Sequence, residues 1–370
     1  MDFTLCLTHA CNMRCSYCYA VDKRASSMTW KTAKRAIDCC LAETLSRSKL
    51  RQCRAITQLG FFGGEPLLEW KLLQRATEYT EEECSRLDIL LKKTVTTNMS
   101  LLDEEKASWL KDHRFQVALS LDGAADRHNL LRRMADGSPS HANCAGALQW
   151  FRGKNVNSEM ILVVDPHNIS GLADSVQWLV DQEMFSYILS PNYNAVWSEA
   201  ARAQWQVEIE RIGIIYQQCF RDGRPIRIDI FDSKIEAHIA NPLQRCGQCS
   251  FGGNQIAVAP DGRFYPCVRI VGLIDRAGME AGDVSSGIDS RRLARLAPTG
   301  SVPSGECNDC LARPRCKNWC ACVNHATTGN VDSVSGLVCY HERMTINIAD
   351  QVAATLFAEK NPAFLSRFYR

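Results

Sequence analysis

Three cysteines near the start of the chain, Cys11, Cys15 and Cys18, have the spacing and setting of a metal site. They form the pattern CxxxCxxC directly after an apolar run at residues 3–7 that is typical of a strand. Three thiolates can bind three irons of a 4Fe–4S cube, which leaves the fourth iron without a protein ligand. An open metal position is where a small molecule binds and reacts. The alternative is a zinc site completed by a fourth ligand such as His9.

A second segment that could take part in ligand binding is Gly63-Gly64-Glu65-Pro66, which follows a strand-like run at residues 58–62. Two glycines allow a backbone to approach a ligand closely, and a carboxylate can pair with an ammonium group. In isolation such a sequence is usually an ordinary turn. Its interpretation therefore depends on whether it lies close to the cysteine loop.

The last third of the chain contains a longer cysteine array. The cysteines of the array are Cys246, Cys249, Cys267, Cys307, Cys310, Cys316, Cys320 and Cys339. Most of the nineteen cysteines fall in such short arrays and no export signal precedes them, which favours metal binding in a reducing cytosol over disulfides. Two zinc sites are the alternative for this array. Cys322 lies outside the pattern and is interpreted as an unligated thiol.

Composition excludes several other classes of protein. The chain has 370 residues and a net charge of +2, so no strong electrostatic field would recruit nucleic acid or an anionic membrane. Apolar runs such as residues 160–164 are far too short to span a bilayer. A cytoplasmic protein of one large and one smaller domain is expected.

Strand-like and helix-like segments alternate through the first two-thirds of the chain. After the first strand, strands are predicted at residues 58–62, 91–97, 116–121, 159–164 and 186–189, and helices at 29–47, 69–84, 103–111, 144–154, 171–182 and 200–222. Six strand–helix units predict a parallel sheet covered by helices. In such folds the loops at the carboxyl ends of the strands converge, so the cysteine loop and Gly63-Gly64-Glu65-Pro66 should share one rim.

The sequence changes character after residue 242. A β-hairpin with a turn at residues 260–262 is predicted, followed by a weakly structured stretch at 272–305 and a helix at 341–358. The predicted division is a barrel at residues 1–225, a linker at 226–245, a cysteine-rich domain at 246–345 and a terminal helix and tail at 346–370.

The cysteine loop, with Tyr17 before its last cysteine, resembles the cluster-binding loop of radical S-adenosylmethionine (SAM) enzymes. The resemblance implies a partial (β/α)6 TIM-type barrel, a 4Fe–4S cluster on Cys11, Cys15 and Cys18, and cleavage of SAM to a 5′-deoxyadenosyl radical. Residues 63–65 resemble the GGE motif, which implies that Gly63, Gly64 and Glu65 hold the SAM amine.

The segment from Ser120 to Arg132 resembles the fourth-strand motif of anaerobic sulfatase-maturating enzymes and related peptide maturases. The resemblance implies that Ser120 and Arg132 contact SAM, with the adjacent Arg133 as the alternative arginine. His128 is interpreted as a residue that orders the loop.

The C-terminal array resembles the seven-cysteine SPASM pattern, including Gly262 between Cys249 and Cys267. The resemblance implies two auxiliary 4Fe–4S clusters, and hence three clusters in all, that relay or accept electrons. The implied ligands are Cys246, Cys249, Cys267 and Cys320 for the first auxiliary cluster, and Cys307, Cys310, Cys316 and Cys339 for the second.

Two departures argue against sulfatase maturation. The maturases carry an aspartate that acts as general base directly after the cysteine matching Cys267, whereas this chain has Val268. They also carry a glutamine before the GGE motif, whereas this chain has Phe62. The expected reaction is therefore oxidative modification of a ribosomally made peptide or protein, with formation of a carbon–sulfur or carbon–carbon crosslink. A dehydrogenase of small molecules or carbohydrates, and a zinc-binding structural protein, are the alternatives. No catalytic base is assigned.

The expected partners are a peptide or protein substrate and an electron donor such as flavodoxin or ferredoxin. Only ten residues precede Cys11, so a peptide is expected to be recognised by the barrel rim, by the SPASM domain or by a separate protein that binds a leader peptide. Rim contacts with a peptide are predicted at Asn192, Tyr193, Asn194 and Trp197, with ordinary loop packing as the alternative.

Overall fold

Parallel strands alternate with helices in the computed structural model, as the sequence predicts. The structure describes the whole chain except residues 21–25, 154–156, 240–249, 274–277, 300–306, 308, 317–319 and 370. The strands are β1 (Asp2–Cys6), β2 (Ile56–Phe62), β3 (Leu90–Thr97), β4 (Gln116–Ser120), β5 (Ser158–Val164), β6 (Ser186–Pro191), β7 (Arg227–Ile228), β8 (Gln255–Val258), β9 (Phe264–Tyr265), β10 (Gly282–Asp283) and β11 (Gly287–Ile288).

The helices lie between and after these strands. They are α1 (Trp30–Arg51), α2 (Trp70–Arg86), α3 (Glu104–Asp112), α4 (Ala125–Leu131), α5 (His141–Ala145), α6 (Leu172–Asp181), α7 (Glu199–Arg221), α8 (Asp229–Ile239), α9 (Val268–Val271), α10 (Ser290–Leu296), α11 (Ala321–Thr328), α12 (Gly336–Ala358) and α13 (Pro362–Phe368). Short 3-10 helices occur at Pro66–Glu69, Gly146–Trp150 and Arg313–Arg315. Side-chain caps begin several long helices, because a cap oxygen accepts from an unpaired backbone N–H. These caps are Thr29, Asp103, Ser198 and Ser335.

The chain divides into two compact units. The first comprises Met1–Leu119, Arg133–Ala147 and Ser250–Pro298, and the second comprises Ser120–Arg132, Leu148–Cys249 and Thr299–Arg370. The domain boundaries predicted from the sequence stay a prediction.

In the first unit the strand order is β4-β3-β2-β1-β8-β9, and every neighbouring pair is parallel except β8 and β9. Strands β1 and β2 contribute Phe3, Leu5, Leu59 and Phe61 to the core, and all four are buried. In each strand the two residues are two positions apart, so they lie on the same face of the sheet. Strand β1 ends next to the cysteine loop, so the core fixes where that loop begins.

In the second unit β5, β6 and β7 are parallel neighbours. The helices of this unit bury an aromatic cluster in which Tyr216 contacts Phe220 and Phe231, and Phe220 contacts Phe364. Aromatic pairs of this kind add to the stability that apolar burial provides.

Four segments differ from the prediction. Residues 272–305, predicted to be weakly structured, contain β10, β11 and α10 in their described part. The loop predicted after β4 contains α4, and the helix predicted at residues 144–154 is replaced in its described part by α5 and a 3-10 helix. The linker predicted at 226–245 contains β7 and α8. Helix α8 buries Ile230, Phe231 and Ile235 and packs against α12. A helix this short takes its stability from tertiary packing, so the local sequence did not reveal it.

The predicted β-hairpin is confirmed, with Val258 opposite Phe264. Its turn residue Gly262 has a φ of +88°, and a Cβ at this position would lie 2.8 Å from Cγ2 of Val284. The left-handed backbone and the crowding both favour glycine. The turn geometry therefore explains why a glycine occurs at this position of the cysteine array.

Among the described residues, no helix is long and apolar enough to cross a membrane.

We predict that Gly262→Ala lowers the free energy of unfolding by about 1–3 kcal/mol, because it combines a strained φ with a steric contact. Gly287→Ala is the matched control, since its φ is +85° but no atom lies within 4 Å of its Cβ position. Urea unfolding followed by circular dichroism measures both. Equal losses in the two variants would show that the contact with Val284 has no energetic weight.

Candidate functional site

The loop that carries Cys11, Cys15 and Cys18 is anchored through its backbone. The amide of Arg14 donates to the carbonyl of Arg133 (2.8 Å), and Asn12 accepts from the amide of Ala135 (2.9 Å). Met13 is buried beneath the loop, whereas the three cysteines are half-buried. The backbone between the cysteines is therefore held in place while the thiols stay near the surface.

The described cysteines do not form a compact site for one metal ion. Among the residues that the structure covers, no three His, Cys, Asp or Glu side chains are close enough together to hold a single ion. An all-thiolate set in one loop fits an iron–sulfur cluster, because a cube binds each thiolate through a different iron.

The Gly63-Gly64-Glu65 turn lies directly against the start of the cysteine loop. The amide of Gly64 donates to Thr8 (2.7 Å) and the amide of Glu65 donates to Ala10 (3.0 Å). A Cβ on Gly64 would lie 2.0 Å from the Ala10 carbonyl oxygen, and one on Gly63 would lie 2.4 Å from that of Thr8. Only glycine permits this approach. The expected proximity of the two motifs is thus present in the first unit.

The Glu65 carboxylate is fully buried and points into the protein. It accepts hydrogen bonds from the amide of Leu67 (3.0 Å), the hydroxyl of Thr97 (2.8 Å) and the amide of Asn98 (2.7 Å). Burial raises its pKa to about 7, and these hydrogen bonds limit the rise. The carboxylate joins the ends of β2 and β3. A contact of this turn with an amine would therefore come from its backbone rather than from this side chain.

Asn98 connects the end of β3 to the cysteine loop. Its side-chain amide donates to Oδ1 of Asn12 (2.9 Å) and lies 3.8 Å from Sγ of Cys11. Ser100 completes the set, because Asn12 donates to its hydroxyl (2.8 Å). An amide donor beside a thiolate is a means of stabilising the thiolate and tuning an iron–sulfur cluster. The sequence signal was only a polar residue at a strand end, so this role was not predicted.

In the second unit, Arg132 forms a buried ion pair with Asp122. The distances are 2.8 Å from Nε to Oδ2 and 3.1 Å from Nη2 to Oδ1, and Asp122 also accepts from the amide of Val163 (3.0 Å). His128 is buried and accepts from the amide of Asp122 (3.3 Å), as expected for a residue that orders this loop. Ser120 is half-buried at the end of β4. The partner that orients Arg132 was not identified from the sequence.

The C-terminal cysteines are described in part. Cys246 and Cys249 lie outside the described residues. Cys267, in the first unit, is buried directly after the hairpin. In the second unit Cys307, Cys310, Cys316 and Cys320 are half-buried and Cys339 is exposed. Cys322 is interpreted from the sequence as an unligated thiol. Its sulfur lies 3.8 Å from that of Cys320.

Three of the four predicted rim residues line a cavity of about 350 Å³ in the second unit. Tyr193, Asn194 and Trp197 form part of its wall, together with Arg202 and Ser335. The fourth residue, Asn192, instead donates to Asp165 (2.8 Å). The prediction of peptide contacts here stays a prediction.

Comparisons with known proteins agree with this geometry. Residues 5–179 match the family model of the Radical SAM superfamily. An uncharacterised protein of Methanocaldococcus jannaschii is 30% identical over 174 residues, which cover 47% of this chain and 56% of that protein. A cysteine-type anaerobic sulfatase-maturating enzyme of Clostridium perfringens is 22% identical over 268 residues, which cover 70% of this chain and 71% of the relative.

The solved structure described as native anSMEcpe with bound AdoMet and Cp18Cys peptide is also similar. It has a TM-score of 0.76 and 17% identity, and the match covers 96% of this chain and 99% of that one. This confirms the predicted α/β fold class with a parallel sheet of the radical SAM type. The region that contains the cysteine loop is a radical SAM domain, and the resemblance stated from the sequence is confirmed. Over part of its length the chain is also similar to the anaerobic sulfatase-maturating enzymes.

We predict that Glu65 makes the stability of the protein depend on pH. Its pKa of about 7 in the folded protein exceeds the ordinary 4.5, so the folded state binds the extra proton between these values. The stability that this proton provides is therefore lost as pH rises from 4.5 through 7. Relative to Glu65→Gln, wild-type protein should lose about 3 kcal/mol of unfolding free energy across this range.

Urea unfolding of both proteins at a series of pH values between 4.5 and 8 measures this difference. Glu104→Gln, a change at an exposed carboxylate in α3, is the control and should leave the pH profile unchanged. Parallel profiles for wild type and Glu65→Gln would show that the Glu65 carboxyl is ionised in the folded protein throughout this range.

Proposed function

We propose that this chain is a radical SAM/SPASM enzyme that crosslinks side chains of a ribosomally made peptide or protein through a carbon–sulfur or carbon–carbon bond. The observation that carries the proposal is the cysteine loop, whose three half-buried thiols are held against the Gly63-Gly64-Glu65 turn. When bound there, the cluster and SAM supply a 5′-deoxyadenosyl radical that removes hydrogen from a substrate.

The chain's own residues supply the frame for that chemistry. Asn98 places an amide donor beside Cys11, and the buried Glu65 carboxylate fixes the turn. The backbone of Gly63, Gly64 and Glu65 is proposed to hold the amine of SAM. Ser120 and Arg132 are proposed to contact SAM as well, with Asp122 fixing the orientation of the arginine.

A peptide substrate is supported by the relatives. One is named a sulfatase-maturating enzyme, and the similar solved structure is described with a bound peptide. Formylglycine formation is not proposed, because Val268 offers no side chain that can take a proton. Flavodoxin or ferredoxin is proposed as the electron donor, and a separate protein that binds a leader peptide as a further partner.

The cysteine array is proposed to hold two auxiliary 4Fe–4S clusters that receive the electron left on the substrate. Cys246, Cys249, Cys267 and Cys320 would bind the first, and Cys307, Cys310, Cys316 and Cys339 the second. The all-thiolate ligand sets support iron–sulfur clusters. With the cluster on Cys11, Cys15 and Cys18, the expected content is about twelve irons per chain.

We predict that Cys15→Ala abolishes formation of 5′-deoxyadenosine but leaves about eight irons per chain, because only the SAM-binding cluster loses a ligand. Anaerobic iron and sulfide analysis and chromatography of the SAM products measure the two quantities. Cys53→Ala, at an exposed cysteine outside the arrays, is the control. Formation of 5′-deoxyadenosine at the wild-type rate by Cys15→Ala would refute the assignment of this loop.

We predict that Cys320→Ser loses about four irons, whereas Cys322→Ser keeps about twelve. The two sulfurs are 3.8 Å apart, so the pair tests which of them is the ligand. Iron analysis and low-temperature electron paramagnetic resonance of the reduced proteins distinguish them. Loss of iron from Cys322→Ser, with about twelve irons retained in Cys320→Ser, would show that Cys322 and not Cys320 is the ligand.

The substrate is tested by co-expression with a candidate precursor peptide encoded beside this protein. Mass spectrometry should show a loss of about two hydrogens for each crosslink, and this loss should be absent with Cys15→Ala. Modification of a sugar or another small molecule in place of the peptide would overturn the proposed substrate class.

A further inference from the structure

A buried lysine on α8 contacts two segments that carry cysteines of the C-terminal array. Lys234 and Glu342 each have only 2% of their side chain exposed, and the Lys234 ammonium donates to the Glu342 carboxylate. The ammonium also donates to the carbonyl oxygen of Arg315 (2.8 Å). A buried charge is tolerated only when it is paired and hydrogen-bonded. Both contacts therefore help to stabilise the Lys234 ammonium in the protein interior.

Arg315 also donates hydrogen bonds, one to the backbone of Lys234 and two to Asp350. Its Nε donates to the carbonyl oxygen of Lys234 (3.1 Å), and its guanidinium makes two bonds to the Asp350 carboxylate, of 2.9 and 2.6 Å. Two-bond pairing of this kind fixes orientation as well as distance. The turn at residues 313–315 is thus attached to α8 through Lys234 and to α12 through Asp350.

Each of these attachments is close to a proposed ligand of the second auxiliary cluster. Cys316 follows Arg315 directly, and backbone bonds from Arg313 to Cys310 (3.0 Å) and from Cys316 to Arg313 (3.3 Å) close the turn. Cys339 lies on α12 three residues before Glu342, so the two share one side of the helix. Lys234 therefore links the turn that carries Cys310 and Cys316 to the helix that carries Cys339.

We propose that Lys234 is a positioning residue for the second auxiliary cluster. It holds the turn before Cys316 and the start of α12 at the separation that a shared cluster requires, without touching the cluster itself. The proposal rests on the cluster content given under the proposed function. It also gives α8, which has no cysteine within its described length, a role in the cysteine-rich part of the protein. Residues that contact the segments carrying metal ligands fix the positions of those ligands.

The test uses full-length protein purified anaerobically with its clusters reconstituted. Lys234→Met removes the link but leaves Glu342 buried without its cation, which risks unfolding. The double variant Lys234→Met/Glu342→Met avoids this by replacing the pair with apolar side chains of similar size. We expect both variants to lose about four of about twelve irons and to keep forming 5′-deoxyadenosine. Their electron paramagnetic resonance spectrum should match that of Cys316→Ser.

Asp232→Asn is the matched control. Asp232 is a buried carboxylate on the same helix, and it binds the amide of Ile228 and the guanidinium of Arg367. This variant weakens α8 without touching either cysteine segment, so it should keep about twelve irons. Equal iron loss in Asp232→Asn would show that general damage to α8 releases the cluster, and it would overturn a specific role for Lys234.

The remaining outcomes separate this role from the proposed cofactor content. A folded double variant with about twelve irons and wild-type spectra would overturn the role of Lys234 alone. A wild-type content of about four irons would overturn both the auxiliary clusters and this role.

Discussion

The continuation of the β1–β2 pairing beyond the ends of the two strands is the constraint on which the site depends. Leu7 donates to Phe62 in the last step of the ladder, and Gly64 and Glu65 then donate to Thr8 and Ala10. The backbone of the GGE turn thereby runs against the backbone that leads into the cysteines. No side chain fits between them, so the two glycines are a consequence of the contact.

Buried polar and charged side chains in this protein hold loops in place. The Glu65 carboxylate accepts hydrogen bonds from three donors of its own chain, and Arg132 is paired with Asp122. Groups that are already paired in this way do not need to rearrange when a ligand binds, which keeps a site preorganised. Under the proposed function the cofactors would supply the reactive chemistry, and the protein would contribute position and local electrostatics.

The same principle extends to the C-terminal cysteines. Lys234, Arg315 and Glu342 form a buried set whose members belong to α8, a short turn and α12. Removal of one member would leave a charge without its partner in the interior, so the segments are expected to move together. The proposed auxiliary cluster would then bind to cysteines whose backbone positions are already largely set.

The sequence alone determined the fold class and the position of the cysteine loop after the first strand, because these depend on residue periodicity and on close spacing within one segment. It also placed the GGE motif at the end of the second strand. Tertiary structure decided which side chain pairs with which: Glu65 with Asn98, Arg132 with Asp122, and Lys234 with Glu342. It also decided that residues 229–239 form a helix. These features depend on contacts between residues distant in the sequence, or on packing that local propensity does not encode.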